Sequence, residues 1–278
     1  VGTSKSSMGP GSGVPLVPPW VPDPTPPSDG DNPNPEDHDG LTLTNPDPRA
    51  DDLAPIARFR SARTNLGRFA QTGSRDNMRR GLGQYVHKGL GGAGTASRRM
   101  ENTARTAAAL YTALSSLSTG QFTISGREFD AAILTGRSAA EVMDALVEAV
   151  RPVDGTQDSE ASRHAIRNSM SEMLDRFPEA NPVELSEVQR MFIIERYVAL
   201  DIYDRFVLDV GKAVQDKAPN PSTALSRLKD IKDYIKEIVS ARFRATRASG
   251  QSLGSQRIVD VVRNVLKETF GVFEEYVQ

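Results

Sequence analysis

The chain has 278 residues, a formal net charge of −2, 38% hydrophobic residues and no cysteine. Lack of cysteine excludes disulfides, a thiol nucleophile and thiolate metal sites, and the three histidines, His38, His87 and His164, are too scattered for a zinc motif. No run of about 18 apolar residues occurs and the N-terminal stretch has no continuous apolar core, so the composition predicts a cytoplasmic chain without membrane span or export signal.

Residues 1–54 read as a disordered arm. Thirteen of the eighteen prolines fall by Pro55, with Gly, Asp and Asn between them. Such a stretch buries too little apolar surface to offset its ordering entropy. Within it, Val14-Pro15-Leu16-Val17-Pro18-Pro19-Trp20 holds the only tryptophan of the chain. A stiff, extended, apolar peptide of this kind is suited to presentation to a partner. Upstream lies a Gly/Ser spacer that begins at Gly2. The leading Val reads as a start codon decoded literally. Trimming of the initiator then leaves a free α-amine on Gly2, whose pKa of about 8 keeps a useful fraction unprotonated near neutral pH.

Charge is strongly segregated. Between Asp23 and Asp52 there are nine acids against Arg49 alone, and between Arg58 and Arg105 eleven bases against Asp76 and Glu101. The bases include Arg58, Arg63, Arg68, Arg79, Arg80, Arg98 and Arg99. A block of this composition binds either an acidic protein face or the phosphates of nucleic acid. The sequence pI near 6.0 and the sparse aromatic residues of the block favour protein.

Residues 55–120 read as a basic helical region with glycine breaks. Phe59, Leu66 and Phe69 form a ragged stripe with Ile56, and Met78, Leu82, Tyr85 and Val86 a regular one. Gly89-Leu-Gly-Gly-Ala-Gly94 interrupts them. It matches GxGxxG by letter, but no strand precedes it, so it is read as a flexible joint and not as a dinucleotide loop. Thr95–Leu117 is expected as one Ala-rich helix. His87, at the end of a helix beside this joint, is read as a cap or surface residue.

Residues 121–278 are expected to form an all-α bundle. Gln121–Ile124 alternates like a strand but has no obvious partner and is taken as a connector. Ser138 and Glu141 form a capping box before Val142, Leu146 and Val150, and Pro152 stops that helix. A helix over 158–177 carries Ile166, Met170, Met173, Leu174 and Phe177 inward, with His164 on a solvated face. A helix over 183–217, apolar around most of its circumference, is expected at the bundle centre. Asn220-Pro221 starts another, with Leu225, Leu228, Ile231, Ile235 and Ile238 inward. Ser255 is expected to cap the last helix, which carries Ile258 to Tyr276. The fold class is therefore all-α: a helical bundle preceded by a long Pro/Gly-rich disordered arm.

Gly2–Val21, the acidic linker, Ala62-Arg-Thr-Asn-Leu-Gly-Arg-Phe69 and the Gly-rich stretch Tyr85–Arg99 together resemble the QatB family of the bacterial Qat anti-phage defence system. The resemblance implies a setting beside an ATPase (QatA), a QueC-like enzyme (QatC) and a TatD-like nuclease (QatD). It implies that this chain is a protein substrate, with Gly2 accepting a deazaguanine that the QueC-like partner activates with ATP. The chain would then hold no cofactor or metal of its own and would not be an enzyme. Thr3, Ser4 and Val14–Trp20 are the residues expected to dock on that partner. The main alternative is a nucleic-acid-binding adaptor that uses the bases of 58–105.

Overall fold

The computed structural model describes residues 57–117, 121–124, 127–130, 136–248 and 257–277. The chain divides into two compact units, Val1–Asp52 and Leu53–Gln278, and all of these residues belong to the second. Gly2, Thr3, Ser4, Val14–Trp20, Ile56 and Ser255, for which roles are expected above, lie outside the described residues.

The described residues build an all-α body. Its helices are α1 (Arg60–Thr72), α2 (Arg75–Gln84), α3 (Ala93–Arg99), α4 (Glu101–Ser116), α5 (Ala139–Val150), α6 (Gln157–Arg176), α7 (Glu187–Phe206), α8 (Lys212–Lys217), α9 (Pro221–Ala248) and α10 (Ile258–Glu274). Two π-helical segments, Tyr85–Leu90 and Val207–Gly211, extend α2 and α7. A two-stranded antiparallel pair, Gln121–Ile124 (β1) with Arg127–Asp130 (β2), follows α4 and places Phe122 opposite Phe129. The connector expected at 121–124 is thus a strand. Its partner sits almost adjacent in sequence, in a segment too polar to show a strand pattern.

Local chemistry starts α5 and α9 where the sequence predicts. The Ser138 hydroxyl accepts from the Glu141 amide and Glu141 accepts from the Ser138 amide, completing the expected capping box of α5. Ser186 and Gln189 do the same for α7, so that helix begins at Glu187 and not at the expected 183. Asn220 Oδ1 accepts from the Thr223 amide at 2.8 Å, with Pro221 as the first residue of α9. α1 ends on Gly73, whose φ of +73° is the left-handed conformation open to glycine.

The core follows. α7 packs on α4, α6 and α9. Ile193, Ile194, Tyr197, Val198, Ile202 and Phe206 on it are all at most 2% exposed, as a helix apolar nearly all round requires. One hydrophobic cluster joins these residues to Phe59, Leu66 and Leu82 from α1–α2 and to Val262, Leu266 and Phe270 from α10. Two expectations fail. Leu225 is 69% exposed, because α9 turns that position outward while Leu228, Ile231 and Ile235 face in. The helix expected over 95–117 breaks at Met100 (φ −97°, ψ 23°), whose side chain is buried. Burial of Met100 between two short helices outweighs the helical propensity of the run.

α2 is helical despite Gly81 and Gly83 because neighbours approach where side chains would stand. A Cβ on Gly81 would lie 2.7 Å from Leu66, and one on Gly83 2.8 Å from the Phe273 carbonyl oxygen. Alanine at 83 gains up to about 1 kcal/mol of helix propensity but must displace backbone. Gly83→Ala is expected to destabilise the body by about 1–3 kcal/mol, read as a lower urea midpoint; an unchanged or higher midpoint contradicts this packing.

Candidate functional site

The basic block is laid out over α1, α2 and α3. Arg60, Arg68, Arg80 and Arg99 are exposed. None of the ten Arg and Lys residues from Arg58 to Arg99 forms an ion pair with an acidic side chain among the described residues. Their polar contacts go elsewhere. Arg63 donates to the Asp209 carbonyl at 2.8 Å, and Arg98 to the Thr95 hydroxyl at 3.1 Å. The Arg58 guanidinium lies 4.6 Å from the Phe59 ring centre, and Arg79 lies 5.9 and 5.7 Å from the rings of Tyr234 and Tyr276. The bases therefore do not form one cluster. Arg58 and Arg99 converge on one cleft, whereas Arg75 and Arg79 line a separate groove with Arg227, Tyr234, Tyr276 and the acids Asp230, Asp233 and Glu237.

The cleft, about 330 Å³, opens where the two π-helical segments meet. Arg58, Arg99, Arg205, Asp158 and Asp209 supply its charges; Leu90, Ala96, Met100 and the half-exposed Leu208 supply apolar surface. At its base the Tyr85 hydroxyl donates to Asp209 Oδ2 at 2.9 Å, so one π segment is tied to the other. Burial, then the Asp209 charge, pushes the Tyr85 pKa well above its ordinary value. Burial also raises Asp209, against the Tyr85 hydrogen bond and the charge of Arg58. π-helical turns are frequent at functional sites. Neither segment is readable from the sequence, because a single π turn is too short to set up a period of its own.

Behind the cleft, Asp201 is fully buried. It accepts from the Thr103 hydroxyl at 2.5 Å and from Arg205 Nε at 3.2 Å, and Arg205 continues to Asp158 at 2.5 Å. Burial nevertheless raises the Asp201 carboxyl, as expected for a charge taken from water.

The model of the family described as Qat anti-phage system associated protein QatB matches residues 91–273. The chain belongs to the QatB family. No curated protein and no solved structure matches it. The matched residues run from the glycine joint to the end of α10, and α1, α2 and the arm precede them. A QatB chain is a component of the Qat anti-phage defence system, so partners within that multi-protein system are part of its setting.

In this QatB chain the glycine joint is anchored. Gly91 and Gly92 have φ of +83° and +87°, and Glu274 Oε2 accepts from the Ala93 amide at 3.0 Å. The other Glu274 oxygen meets His87 Nδ1 at 3.0 Å. His87 is thus an exposed partner of the C-terminal helix, and the residues ahead of the glycines are π-helical, so a dinucleotide strand is absent at that position. His164 pairs with Asp204 at 2.9 Å, joining α6 to α7 from a largely exposed position. No group of three His, Cys, Asp or Glu side chains suited to a metal ion occurs among the described residues. No described helix is long and apolar enough to cross a membrane.

Glu101 ties α4 to α10. Arg263 Nε donates to its Oε2 at 2.8 Å and Arg105 to its Oε1 at 3.2 Å. The Arg263 hydrogen bond is the main reason its carboxyl falls from 4.5 to about 2. Glu274 is also lowered, first by His87 and then by the Ala93 amide. Depressed carboxyls contribute stability present above the unfolded pKa and lost as pH falls through the folded one. Buried Asp201, shifted upward, acts in the opposite sense. The melting temperature is expected to fall between pH 5 and about pH 2, and Glu101→Gln to flatten part of that fall. Parallel pH curves for parent and variant would remove Glu101 from the account.

Proposed function

We propose that this QatB chain is a protein substrate and scaffold of its defence system, not a catalyst. In this reading the Gly2 α-amine, exposed once residue 1 is removed, attacks a deazaguanine carboxylate that a QueC-like partner holds as its adenylate. The C–N amide bond forms, the C–O bond to AMP breaks, and the amine proton leaves to a base of the partner or to water. Glycine places no side chain beside the attacking nitrogen. The Gly/Ser spacer gives it reach, and Thr3, Ser4 and Val14–Trp20 supply docking surface. The observation that carries the reading is the tail itself: a spacer from Gly2 leading into an apolar, proline-stiffened peptide with the only tryptophan, in a chain of this family. The ATPase and the TatD-like nuclease of the system are the further partners expected for the body. ATP and the deazaguanine belong to the partner's chemistry.

The intact mass of the chain, produced with and without its QueC-like neighbour, tests this. The expected result is one added deazaguanine acyl group, mapped to Gly2 and abolished by Gly2→Pro with the helical circular dichroism unchanged. Equal masses, or addition at another residue, would refute it.

One observation favours a second reading, a nucleic-acid-binding adaptor: the bases of α1–α3 lack carboxylate partners among the described residues. Here Arg68→Glu with Arg80→Glu, both at exposed positions, is expected to weaken single-stranded DNA binding and to reduce its salt slope by about 1–2. Binding that is absent from the parent chain, or indifferent to these changes, excludes the adaptor.

A further inference from the structure

A patch of apolar surface stays open where α6, α7 and α9 meet. Val188, in the first turn of α7, is 66% exposed. It lines a pocket of about 320 Å³ with Phe177, at the end of α6, and Phe192, one turn further along α7. The two rings meet edge to face at 5.8 Å, pack against the core and stay partly exposed. Arg176, Arg196 and Arg247 line the same pocket, with the carboxylate of Glu195. Glu195 is engaged from within, by Arg247 at 3.1 Å and by the Ser240 hydroxyl. Glu172, one turn before Arg176, meets Lys236 and, at 3.5 Å, Arg196. Arg176 itself is exposed and meets no carboxylate among the described residues. Further along α9 the balance changes, because Asp233 and Glu237 accompany Lys236 and Arg244 there. The excess of positive charge is therefore confined to the apolar end.

We propose that this pocket docks a peptide segment of a partner protein in which a Leu or Phe side chain is flanked by Asp or Glu. The apolar anchor fills the space between Val188, Phe177 and Phe192. The flanking carboxylates pair with Arg176 and with the exposed part of Arg247. Aromatic residues and arginine are the side chains enriched at protein interfaces and among their energetic anchors. The volume lies at the small end of ligand pockets, about 300–1,000 Å³, which suits one or two side chains. Nucleic acid fits less well. Phe192 already carries the Arg196 guanidinium at 4.9 Å from its ring centre, so that ring face is not offered to a base. The pocket lies within the residues matched by the family model, and the proposal stands apart from the modification of Gly2.

Fluorescence anisotropy on the full-length chain tests the docking. The probe is a fluorescein-labelled peptide, Gly-Glu-Glu-Leu-Phe-Glu-Asp-Gly, compared with its Gln/Asn counterpart. The acidic peptide is expected to bind at least about tenfold more tightly than the neutral one. Val188→Asp and Arg176→Glu, both at exposed positions, are each expected to weaken it about tenfold, with the helical circular dichroism and melting temperature unchanged. Arg68→Glu with Arg80→Glu, outside the pocket, is expected to leave the affinity within about twofold. No binding of the acidic peptide by the parent chain, equal binding of the two peptides, or loss with the Arg68 and Arg80 changes alone overturns the proposal. So does an unlabelled DNA single strand that displaces the peptide from the parent, which assigns the pocket to nucleic acid. A parent chain that sediments as a dimer and becomes monomeric with Val188→Asp also overturns it, because a second copy then covers the patch.

Discussion

The rotation of α7 within the body is the constraint on which the rest of the structure depends. An apolar surface that covers most of a helix tells it to be central but not which way to face. Buried acids decide that. Asp201, fully buried, reaches Thr103 on α4 and, through Arg205, Asp158 on α6. Glu195, almost as buried, pairs with Arg247 and the Ser240 hydroxyl on α9. Two charged side chains on one helix thus bond to three of its neighbours. A turn of α7 by one residue would leave both acids in the core without partners. Leaving a buried polar group without its partner costs about 1–3 kcal/mol, as much as burying one large apolar side chain contributes. Directional bonds therefore select one packing among several that hydrophobic burial alone would permit.

The same constraint shapes the site. Arg205 is drawn toward Asp201 and Asp158, and one turn further on the chain passes into the π segment that carries Asp209. Asp209 then meets Tyr85 in the other π segment. The cleft is where the central helix, locked by its acids, is joined to the N-terminal helices. Arg58 and Arg99 line the same cleft, with Arg58 over the Phe59 ring and its charge acting on Asp209. Carboxylates of the body also face some of the bases of the N-terminal helices: Asp158 and Asp209 in the cleft of Arg58 and Arg99, and Asp230, Asp233 and Glu237 in the groove of Arg75 and Arg79.

What the sequence disclosed was local. Ser138 with Glu141, and Asn220 with Pro221, are bonds between near neighbours, and spacing alone reveals them. The apolar face of α10 follows the helical period and packs as that period predicts. What stayed hidden depends on distant residues. Met100 breaks a run of good helix formers because its side chain has a buried place to fill. Leu225 faces outward because the packing of α9 was already satisfied by Leu228 and Ile231. β1 and β2 pair through backbone groups, which carry no sequence signature. At the site, the bases of 58–99 were legible as a block. Their separation into a cleft and a groove, and the engagement of Arg79 with Tyr234 and Tyr276, arise only when α2, α9 and the C-terminus come together.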